Sequence, residues 1–289
     1  MTSRALVLGG GGPVGFGWEI GMLKGLADLG IHLADADLIV GTSAGAGAGS
    51  QIASGVSPGE LYDKQLRDAG SVTPAAKLTP DTLALGQVFE LWVGGPAMTQ
   101  EVRANIGALA VSAKTGPEAD WTASFNNSIL GSTEWPEKRF VITAVDVRTG
   151  AFVSWDRSSG VPMPLAIAAS CSLPAIIPTV GINGERYMDG GLHSVSNAHL
   201  AKDNDRVVII APSGAMDTPY DKNTRFQLEG EVQSLRDDGS TVAFVLPDAE
   251  ALAASGPNRM DVAYLGKAAD AGLHQAKRVG AEIGAVWQG

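Results

Sequence analysis

A serine enclosed by small residues lies early in the chain, within the stretch GTSAG at 41–45. Its spacing is that of the G-x-S-x-G nucleophile elbow, in which a sharp turn from a strand into a helix exposes the serine hydroxyl. The apolar residues 38–40 precede the turn and an alanine-rich stretch follows it, as the elbow requires. Gly41 and Gly45 would let the two backbones approach closely. The pattern predicts that Ser43 is a nucleophile in acyl transfer.

A serine hydroxyl needs a base within roughly 2.6–3.2 Å, and the residues offer two kinds of base. One is Asp189, which ends a short strand-like segment and precedes Gly190 and Gly191. The other is a histidine of a Ser-His-Asp triad, and the histidines that follow the serine are His193, His199 and His274. No motif singles out a histidine, and an aspartate in such a turn is commonly a structural cap. The residues alone leave both bases open.

A run of glycines at 9–12 follows an apolar segment and opens a predicted helix. Gly10, Gly12 and Gly15 also fit the G-x-G-x-x-G pattern of dinucleotide-binding proteins. That pattern expects an acidic residue at the end of the second strand, where this chain has its serine turn. The run can instead present backbone N–H groups, either to a bound anion or to the oxyanion of an acyl-transfer intermediate. A non-catalytic protein that binds an anion or nucleotide is therefore an alternative to an acyl hydrolase.

These residues would be positioned by a sheet. Apolar runs bounded by turn residues predict strands at 5–8, 38–40, 140–147, 151–155, 207–210 and 242–246. Apolar residues at helical spacing between the first two runs complete a strand–helix–strand unit, which implies parallel pairing. The turn VRTG at 147–150 predicts a hairpin, so part of the sheet should be antiparallel. We therefore predict an α/β fold, a three-layer sandwich with a mostly parallel central sheet flanked by helices.

Residues 46–137 hold no strong strand signal and include amphipathic helix patterns at 79–92 and 100–111. They predict a helical insertion, which is either a lid or a set of ordinary packing helices. The C-terminal residues 260–287 predict another amphipathic helix. Because no repeat or low-complexity linker interrupts the chain, we expect one domain, 1–289, that contains the insertion.

Composition limits the partners and the location of the protein. The chain carries 21 Lys and Arg against 31 Asp and Glu, a formal net charge of −10, and has no basic run, which disfavours nucleic acid as a partner. The same charge disfavours electrostatic anchoring to anionic lipid but allows brief contact with a membrane surface. The single cysteine, Cys171, permits no internal disulfide. Without a signal-peptide pattern or an apolar run of roughly 18 residues, we expect a cytoplasmic protein, free or peripheral to a membrane.

Four blocks, GGGGPVG, GTSAG, AASCSLPAIIP and MDGG, in this order and spacing, resemble the patatin-like phospholipase family. The resemblance implies a serine acyl hydrolase that cleaves carboxylic esters of lipids, of the phospholipase A, lipase or esterase type. It maps the nucleophile of a histidine-free Ser–Asp dyad to Ser43, the base to Asp189 and the oxyanion donors to Gly10, Gly11 and Gly12. It implies neither a cofactor nor a metal, and its substrate would be a lipid or another ester.

Two positions in these blocks bear on the substrate and on the reactive groups. Members of the family often carry a basic residue two positions after the last oxyanion glycine, where this chain has Val14. A fixed positive charge near the oxyanion or a lipid phosphate would then be absent, which puts phospholipid in doubt as the substrate and leaves the reaction class standing. Cys171 lies in the block at 170–178, which resembles the family segment beside the active site, and we expect it to pack rather than to react.

Overall fold

A mixed eight-stranded sheet forms the centre of the molecule, in a computed structural model that describes residues 2–67, 78–94, 98–128 and 132–289. The strands are β1 (Arg4–Leu8), β2 (Leu38–Gly41), β3 (Arg139–Asp146), β4 (Phe152–Trp155), β5 (Val180–Ile182), β6 (Glu185–Asp189), β7 (Arg206–Ile210) and β8 (Thr241–Val245). Their order is β5-β6-β3-β2-β1-β7-β8, and β4 also pairs with β3. Strands β3, β2, β1, β7 and β8 are parallel, whereas β4, β5 and β6 are antiparallel. The predicted combination of a parallel sheet with an antiparallel part is confirmed.

The six predicted strands all form, and their ends differ from the prediction by at most one residue. The hairpin of β5 and β6 was not predicted as such. Its two-residue loop is Asn183-Gly184, with φ of 51° and 88°, which are values that favour an Asn-Gly pair. The hairpin matters for the site because its second strand ends at Asp189.

Helices cover both faces of the sheet. Those described are α1 (Gly12–Asp28), α2 (Ala44–Ala53), α3 (Pro58–Arg67), α4 (Thr82–Val93), α5 (Gln100–Ser112), α6 (Glu118–Ser128), α7 (Met163–Ser170), α8 (Pro219–Asp237), α9 (Ala249–Ala254) and α10 (Leu265–Gln288). Alternate residues of β1 face the two layers: Leu6 and Leu8 pack with α1 and α10, and Ala5 and Val7 pack with α8. The fold is therefore the predicted α/β sandwich of a central sheet flanked by helices.

Small residues bring α1 and α10 together. Gly17, Gly21 and Gly25 lie four residues apart on α1, so they form one stripe of its surface. A Cβ atom at position 21 would lie 1.9 Å from the carbonyl oxygen of Ala269 on α10. The two helix backbones can be this close only because glycine has no side chain.

The described helices of the predicted insertion, 46–137, pack on different parts of the core. Helix α2 continues from the serine turn and lies against β1, β2 and β3, whereas α3 lies against α1. Helices α4 and α5 form a separate apolar cluster with the end of β3 and with Met188. Residues 68–77, 95–97 and 129–131 of this stretch lie outside the described residues. A lid function for the insertion stays a prediction.

Across the described ranges, the helices lack the combination of length and apolarity that crossing a bilayer requires.

Candidate active site

The carboxyl ends of β1, β2 and β7 meet at one edge of the sheet. The chain passes from β1 to β2 on one side, and β7 later pairs with β1 on the other side. Such a change of direction opens a crevice at the carboxyl edge of a parallel sheet, where ligands of α/β proteins commonly bind. The glycine run follows β1 and the serine turn follows β2, so both predicted elements lie at this crevice.

The serine turn is sharp and strained. Ser43 has φ 53° and ψ −115°, a left-handed conformation that costs a residue with a side chain about 1–3 kcal/mol. A Cβ atom at position 45 would lie 2.1 Å from the carbonyl oxygen of Leu8, and one at position 41 would lie 2.7 Å from the Cα atom of Ala46. Gly41 and Gly45 thus allow the close approach, and Ser43 stays partly exposed at the crevice.

Asp189 reaches the serine from the opposite direction. Because β6 runs antiparallel to β3, it ends where Asp189 pairs with Ala144. The end of β2, Gly41, pairs with Ile142 of the same strand, only two residues away. The Asp189 side chain is buried, accepts a hydrogen bond from the N–H of Gly191 at 2.8 Å, and lies close enough to the Ser43 side chain to interact with it. The structure therefore brings together the two side chains that the sequence suggested as nucleophile and base.

Burial changes the basicity of this carboxylate. Removal from water disfavours the charged form and raises the pKa of Asp189 to about 7 from an ordinary 3.8. The interactions of the carboxylate with the Gly191 N–H and the Ser43 side chain lower the pKa, but they oppose this rise only in part. A carboxylate with a pKa near 7 is still ionised at slightly alkaline pH. It accepts a proton much more readily than an aspartate in water.

The segment Ser170–Ser172 bridges the serine and the aspartate. The Ser170 hydroxyl accepts a hydrogen bond from the Ser43 N–H at 2.9 Å, and the Ser172 carbonyl accepts one from the Asp189 N–H at 3.0 Å. Between them, the Cys171 thiol donates to the Ser43 carbonyl at 3.2 Å. Burial raises the pKa of Cys171 well above its ordinary value, so the thiol stays protonated and unreactive. The bridging roles of Ser170 and Ser172 had no signal in the sequence beyond the block in which they lie.

The glycine run abuts the serine, but its first predicted donor is already occupied. A Cβ atom at position 10 would lie 3.4 Å from the Cβ atom of Ser43. The N–H of Gly10, however, donates to the carbonyl of Val195 at 2.8 Å, because the loop after the aspartate turn passes beneath it. In this conformation the Gly10 N–H is therefore not open to an oxyanion.

Three other amides remain open at the crevice. Among the described residues, the N–H groups of Gly11 and Gly12 donate to no protein acceptor, nor does that of Ala44, the first residue of α2. The φ of 64° at Gly12 is one that glycine adopts without strain. The Ser43 amide is not available, since Ser170 accepts from it. Gly11, Gly12 and Ala44 are thus the candidate oxyanion donors.

Beneath the site, Asn197 connects the serine turn with the aspartate turn. Its amide nitrogen lies 3.0 Å from the Thr42 hydroxyl, 3.2 Å from the Thr143 hydroxyl and 3.2 Å from the carbonyl of Gly190. The two threonine hydroxyls lie 2.8 Å apart, and all three side chains are buried. Sequence reasoning missed this network, because an isolated threonine or asparagine carries no pattern that shows its partners.

The candidate histidines of a triad make their contacts away from Ser43 and Asp189. His193 bonds through Nδ1 to the Asn197 side chain at 2.7 Å and packs against Phe152 and His199. Burial lowers the pKa of His193. His274 lies on α10 beside Glu250. In the described part of the chain no histidine bonds to Ser43 or Asp189, so the hypothesis of a Ser-His-Asp triad lacks its central contact.

The residues around the crevice offer no metal site. Within the ranges that the structure describes, no group of three or more His, Cys, Asp or Glu side chains is placed to hold a metal ion. The polar groups that converge on the crevice are instead one hydroxyl, one carboxylate and backbone amides. Together with the sheet, they form an α/β protein with a crevice that holds a hydroxyl beside a buried carboxylate.

The chain belongs to the patatin-like phospholipase family, whose sequence pattern matches residues 6–202. A comparison with curated proteins gave no match. Among solved structures, the chain is similar to VipD from Legionella pneumophila, with 12% identity and a TM-score of 0.48 over 98% of this chain and 67% of VipD. It is also similar to the type III effector protein ExoU, with 15% identity and a TM-score of 0.33 over 96% of this chain and 53% of ExoU. The chain thus spans about two thirds and about half of these two proteins.

Proposed function

We propose that this protein is a serine acyl hydrolase that cleaves carboxylic esters of lipids, with Ser43 as nucleophile and Asp189 as base. The observation that carries the proposal is the placement of the Ser43 side chain beside the buried Asp189 carboxylate, at the adjoining ends of β2 and β6, with the pKa of Asp189 raised to about 7. A nucleophile and its base must be within hydrogen-bonding reach, and the pKa of an effective base lies near the working pH. Membership of the patatin-like phospholipase family supports lipid esters as the substrate class.

The first half of the reaction forms an acyl-enzyme. The Ser43 oxygen attacks the ester carbonyl while Asp189 takes the hydroxyl proton. The negative charge that develops on the carbonyl oxygen would be held by the amides of Gly11, Gly12 and Ala44, which have no acceptor among the described residues. When the intermediate collapses, the ester C–O bond breaks and Asp189 returns the proton to the leaving alcohol.

The second half releases the acid. Water attacks the acyl-Ser43 carbonyl while Asp189 takes a proton from it. The second tetrahedral intermediate uses the same amides. Its collapse frees the carboxylic acid, and the proton on Asp189 returns to the Ser43 oxygen. One carboxylate can serve both halves because its elevated pKa lets it accept and give back a proton near neutral pH.

We also infer that residues 1–289 form one domain, since strands from both ends of the chain pair side by side in the sheet. The acyl length and the head group of the ester stay open. The side chain at position 14 is that of a buried valine, so the glycine turn offers no positive charge of its own to a lipid phosphate. A comparison of neutral diacyl esters with phospholipids in the same assay would decide between these substrates.

The test of the dyad is the pair of variants Ser43→Ala and Asp189→Asn, assayed with p-nitrophenyl esters of several acyl lengths. Each variant should lose at least about a thousandfold in kcat, because the nucleophile or its base is missing. A matched control is Ser54→Ala at the opposite end of α2, since its buried hydroxyl oxygen has no hydrogen-bond partner among the described residues. Full activity of Asp189→Asn would refute the dyad.

Mass spectrometry after treatment with a fluorophosphonate adds an independent readout. Wild-type protein should carry the phosphonate on Ser43, and Asp189→Asn should react far more slowly. A wild-type protein that stays unlabelled but is stabilised against heat by nucleotides would favour the non-catalytic alternative.

A further inference from the structure

Three connected residues from beyond residue 202 lie against the glycine turn that follows β1 or hold the residues that do. They are Ser213, in the loop after β7, Asp221, on the first turn of α8, and Arg259, just before α10. All three lie outside the part of the chain that the family pattern matches. We call these three residues the C-terminal clamp.

The clamp contacts the glycine turn at two places. The Ser213 hydroxyl donates to the carbonyl of Gly10 at 2.8 Å, and it is buried. The backbone carbonyl of Arg259 accepts from the N–H of Val14 at 3.2 Å. A Cβ atom on Gly12 would lie 2.9 Å from that same carbonyl, so the backbone of Arg259 lies directly against the turn. The two open amides of Gly11 and Gly12 lie between these contacts.

A buried ion pair fixes the clamp itself. The Arg259 Nη2 atom lies 2.6 Å from Asp221 Oδ1, with side chains that are 22% and 1% exposed. Asp221 also accepts bonds from the N–H of Gly214 at 2.8 Å and from the Thr218 hydroxyl at 2.6 Å. Burial opposes ionisation of Asp221, but the bonds from Thr218 and Arg259 outweigh it and lower the pKa of this carboxyl. The second guanidinium nitrogen, Nη1, lies 3.5 Å from the Ser213 hydroxyl and so connects the pair to the turn.

The pair acts by holding atoms in place rather than by its field. Arg259 and Asp221 are oppositely charged and 2.6 Å apart, so their potentials largely cancel at the distance of the crevice. A turn made of glycines has no side chains with which to restrict its own backbone. Donors in an oxyanion hole nevertheless have to point at one place before the charge forms, since reorientation during the reaction would cost rate. The clamp supplies the missing restriction from outside the turn.

We propose that Ser213, Asp221 and Arg259 are positioning residues that keep the amides of Gly11 and Gly12 aimed at the oxyanion, a role that rests on the proposed function. Their loss should lower kcat, because transition-state stabilisation weakens. It should leave KM and the pH profile unchanged, because the substrate surface and Asp189 are untouched.

The experiment compares Ser213→Ala, Arg259→Met and Arg259→Lys in ester hydrolysis and in the rate of fluorophosphonate labelling. All are assayed well below their own Tm. We expect kcat to fall about tenfold in Ser213→Ala and somewhat more in Arg259→Met, less than the loss of a whole oxyanion donor. KM should stay within about twofold, and Arg259→Lys should recover part of the rate because it can still pair with Asp221. The control is Arg278→Met on α10. This change breaks the ion pair with Asp248, in which the nitrogen and oxygen atoms are also 2.6 Å apart.

Arg259→Met leaves a buried unpaired carboxylate and could fail to fold. The double variant Asp221→Asn with Arg259→Met removes both charges and avoids that problem. Ser213→Ala leaves the pair intact and is informative by itself. Folded Ser213→Ala and double variants with wild-type kcat would overturn the clamp while the proposed function stands. A wild-type protein with neither esterase activity nor labelling at Ser43 would end both.

Discussion

At the scale of single residues, burial raises the pKa of two carboxyl groups that differ in their surroundings. Asp189 is buried, but the N–H of Gly191 and the Ser43 side chain stabilise its charged form, so its pKa rises to about 7. Glu19 on α1 is fully buried, and neither of its oxygens has a hydrogen-bond partner among the described residues. Burial raises the pKa of Glu19 well above its ordinary value and so favours its neutral form. Of these two carboxyl groups, only Asp189 has a pKa near neutral pH and lies beside the candidate nucleophile.

The elevated pKa of Asp189 also costs stability. Between its ordinary value of 3.8 and about 7, the folded protein holds a proton that the unfolded chain releases. Stability therefore falls as pH rises through this range, and the loss is complete above about pH 7. A difference of one pKa unit corresponds to about 1.4 kcal/mol, so the cost is a few kcal/mol. Such a cost is expected where a charged group is buried for function rather than for stability.

The same pKa predicts the pH dependence of activity. Because the base must be ionised, kcat/KM for a non-ionising ester should be low in acid, rise with pH around about 7 and reach a plateau above it. The measurement is kcat/KM between pH 5 and 9 under constant ionic strength.

The control for this profile is His193→Gln. His193 is the half-buried histidine nearest in sequence to Asp189, and burial lowers its pKa below the ordinary value. The variant should retain the wild-type curve. A curve that flattens or moves in this variant would assign the titration to the histidine instead.

At the scale of elements, glycine decides how closely two backbones can approach. The stripe of Gly17, Gly21 and Gly25 lets α1 lie directly on α10, and Gly45 lets α2 start against the end of β1. Helix α1 begins at the glycine turn, so its placement by α10 also places that turn. The glycines in these helices weaken local helix propensity, but they allow the layers to pack at this distance.

The packing of α1 on α10 can be tested by Gly21→Ala. The added methyl group would lie 1.9 Å from the Ala269 carbonyl, so the helices must separate. We expect a loss of about 1–3 kcal/mol in the free energy of unfolding, which denaturant titration would measure.

The matched control is Gly230→Ala in α8, where an added Cβ atom meets nothing within 4 Å. There the usual helix preference should apply, and stability should rise by about 0.5–1 kcal/mol. Equal effects of the two substitutions would show that helix propensity, rather than contact with α10, determines the result.

At the scale of the whole molecule, residues beyond the family match complete the structure. Strand β7 pairs with β1 from Arg4 to Leu8, and β8 extends the sheet beyond β7. Helix α10 covers the same face of the sheet as α1, and its Trp287 is buried. The C-terminal clamp belongs to this part of the chain as well. The family motifs up to Gly191 thus depend on the last third of the chain for both their sheet and their positioning.

A chain that ends at residue 202 should therefore not fold cooperatively. It retains Ser43 and Asp189, but β1 loses its neighbour and the apolar side chains Leu6 and Leu8 lose α10. We expect no sigmoidal unfolding transition by circular dichroism and no ester hydrolysis.

The control chain ends at Trp287, which removes only two exposed residues. It should unfold cooperatively, as the full chain does. A fragment 1–202 that unfolds cooperatively would show that the matched region is an independent domain.

Much of the architecture followed from local pattern. Apolar runs and glycine turns predicted six strands, their parallel and antiparallel parts, and the long C-terminal helix. Each of these features depends on neighbouring residues, whose spacing reports which face is buried. The Asn183-Gly184 pair is an equally strong local signal for the β5–β6 hairpin, which the predicted set of six strands does not include.

The sequence by itself also indicated the candidate chemistry, because the serine between glycines is a contiguous pattern and four short blocks resemble one family, which pointed to Asp189 where the residues alone left the base open. Only the tertiary structure decided which donors are open. Gly10 is occupied by Val195, Asn197 connects the two turns, and Arg259 reaches the glycine turn from the far end of the chain. These contacts join residues that are distant in the sequence. Hydrogen bonding and burial depend on positions in space, which the local order of amino acids does not report.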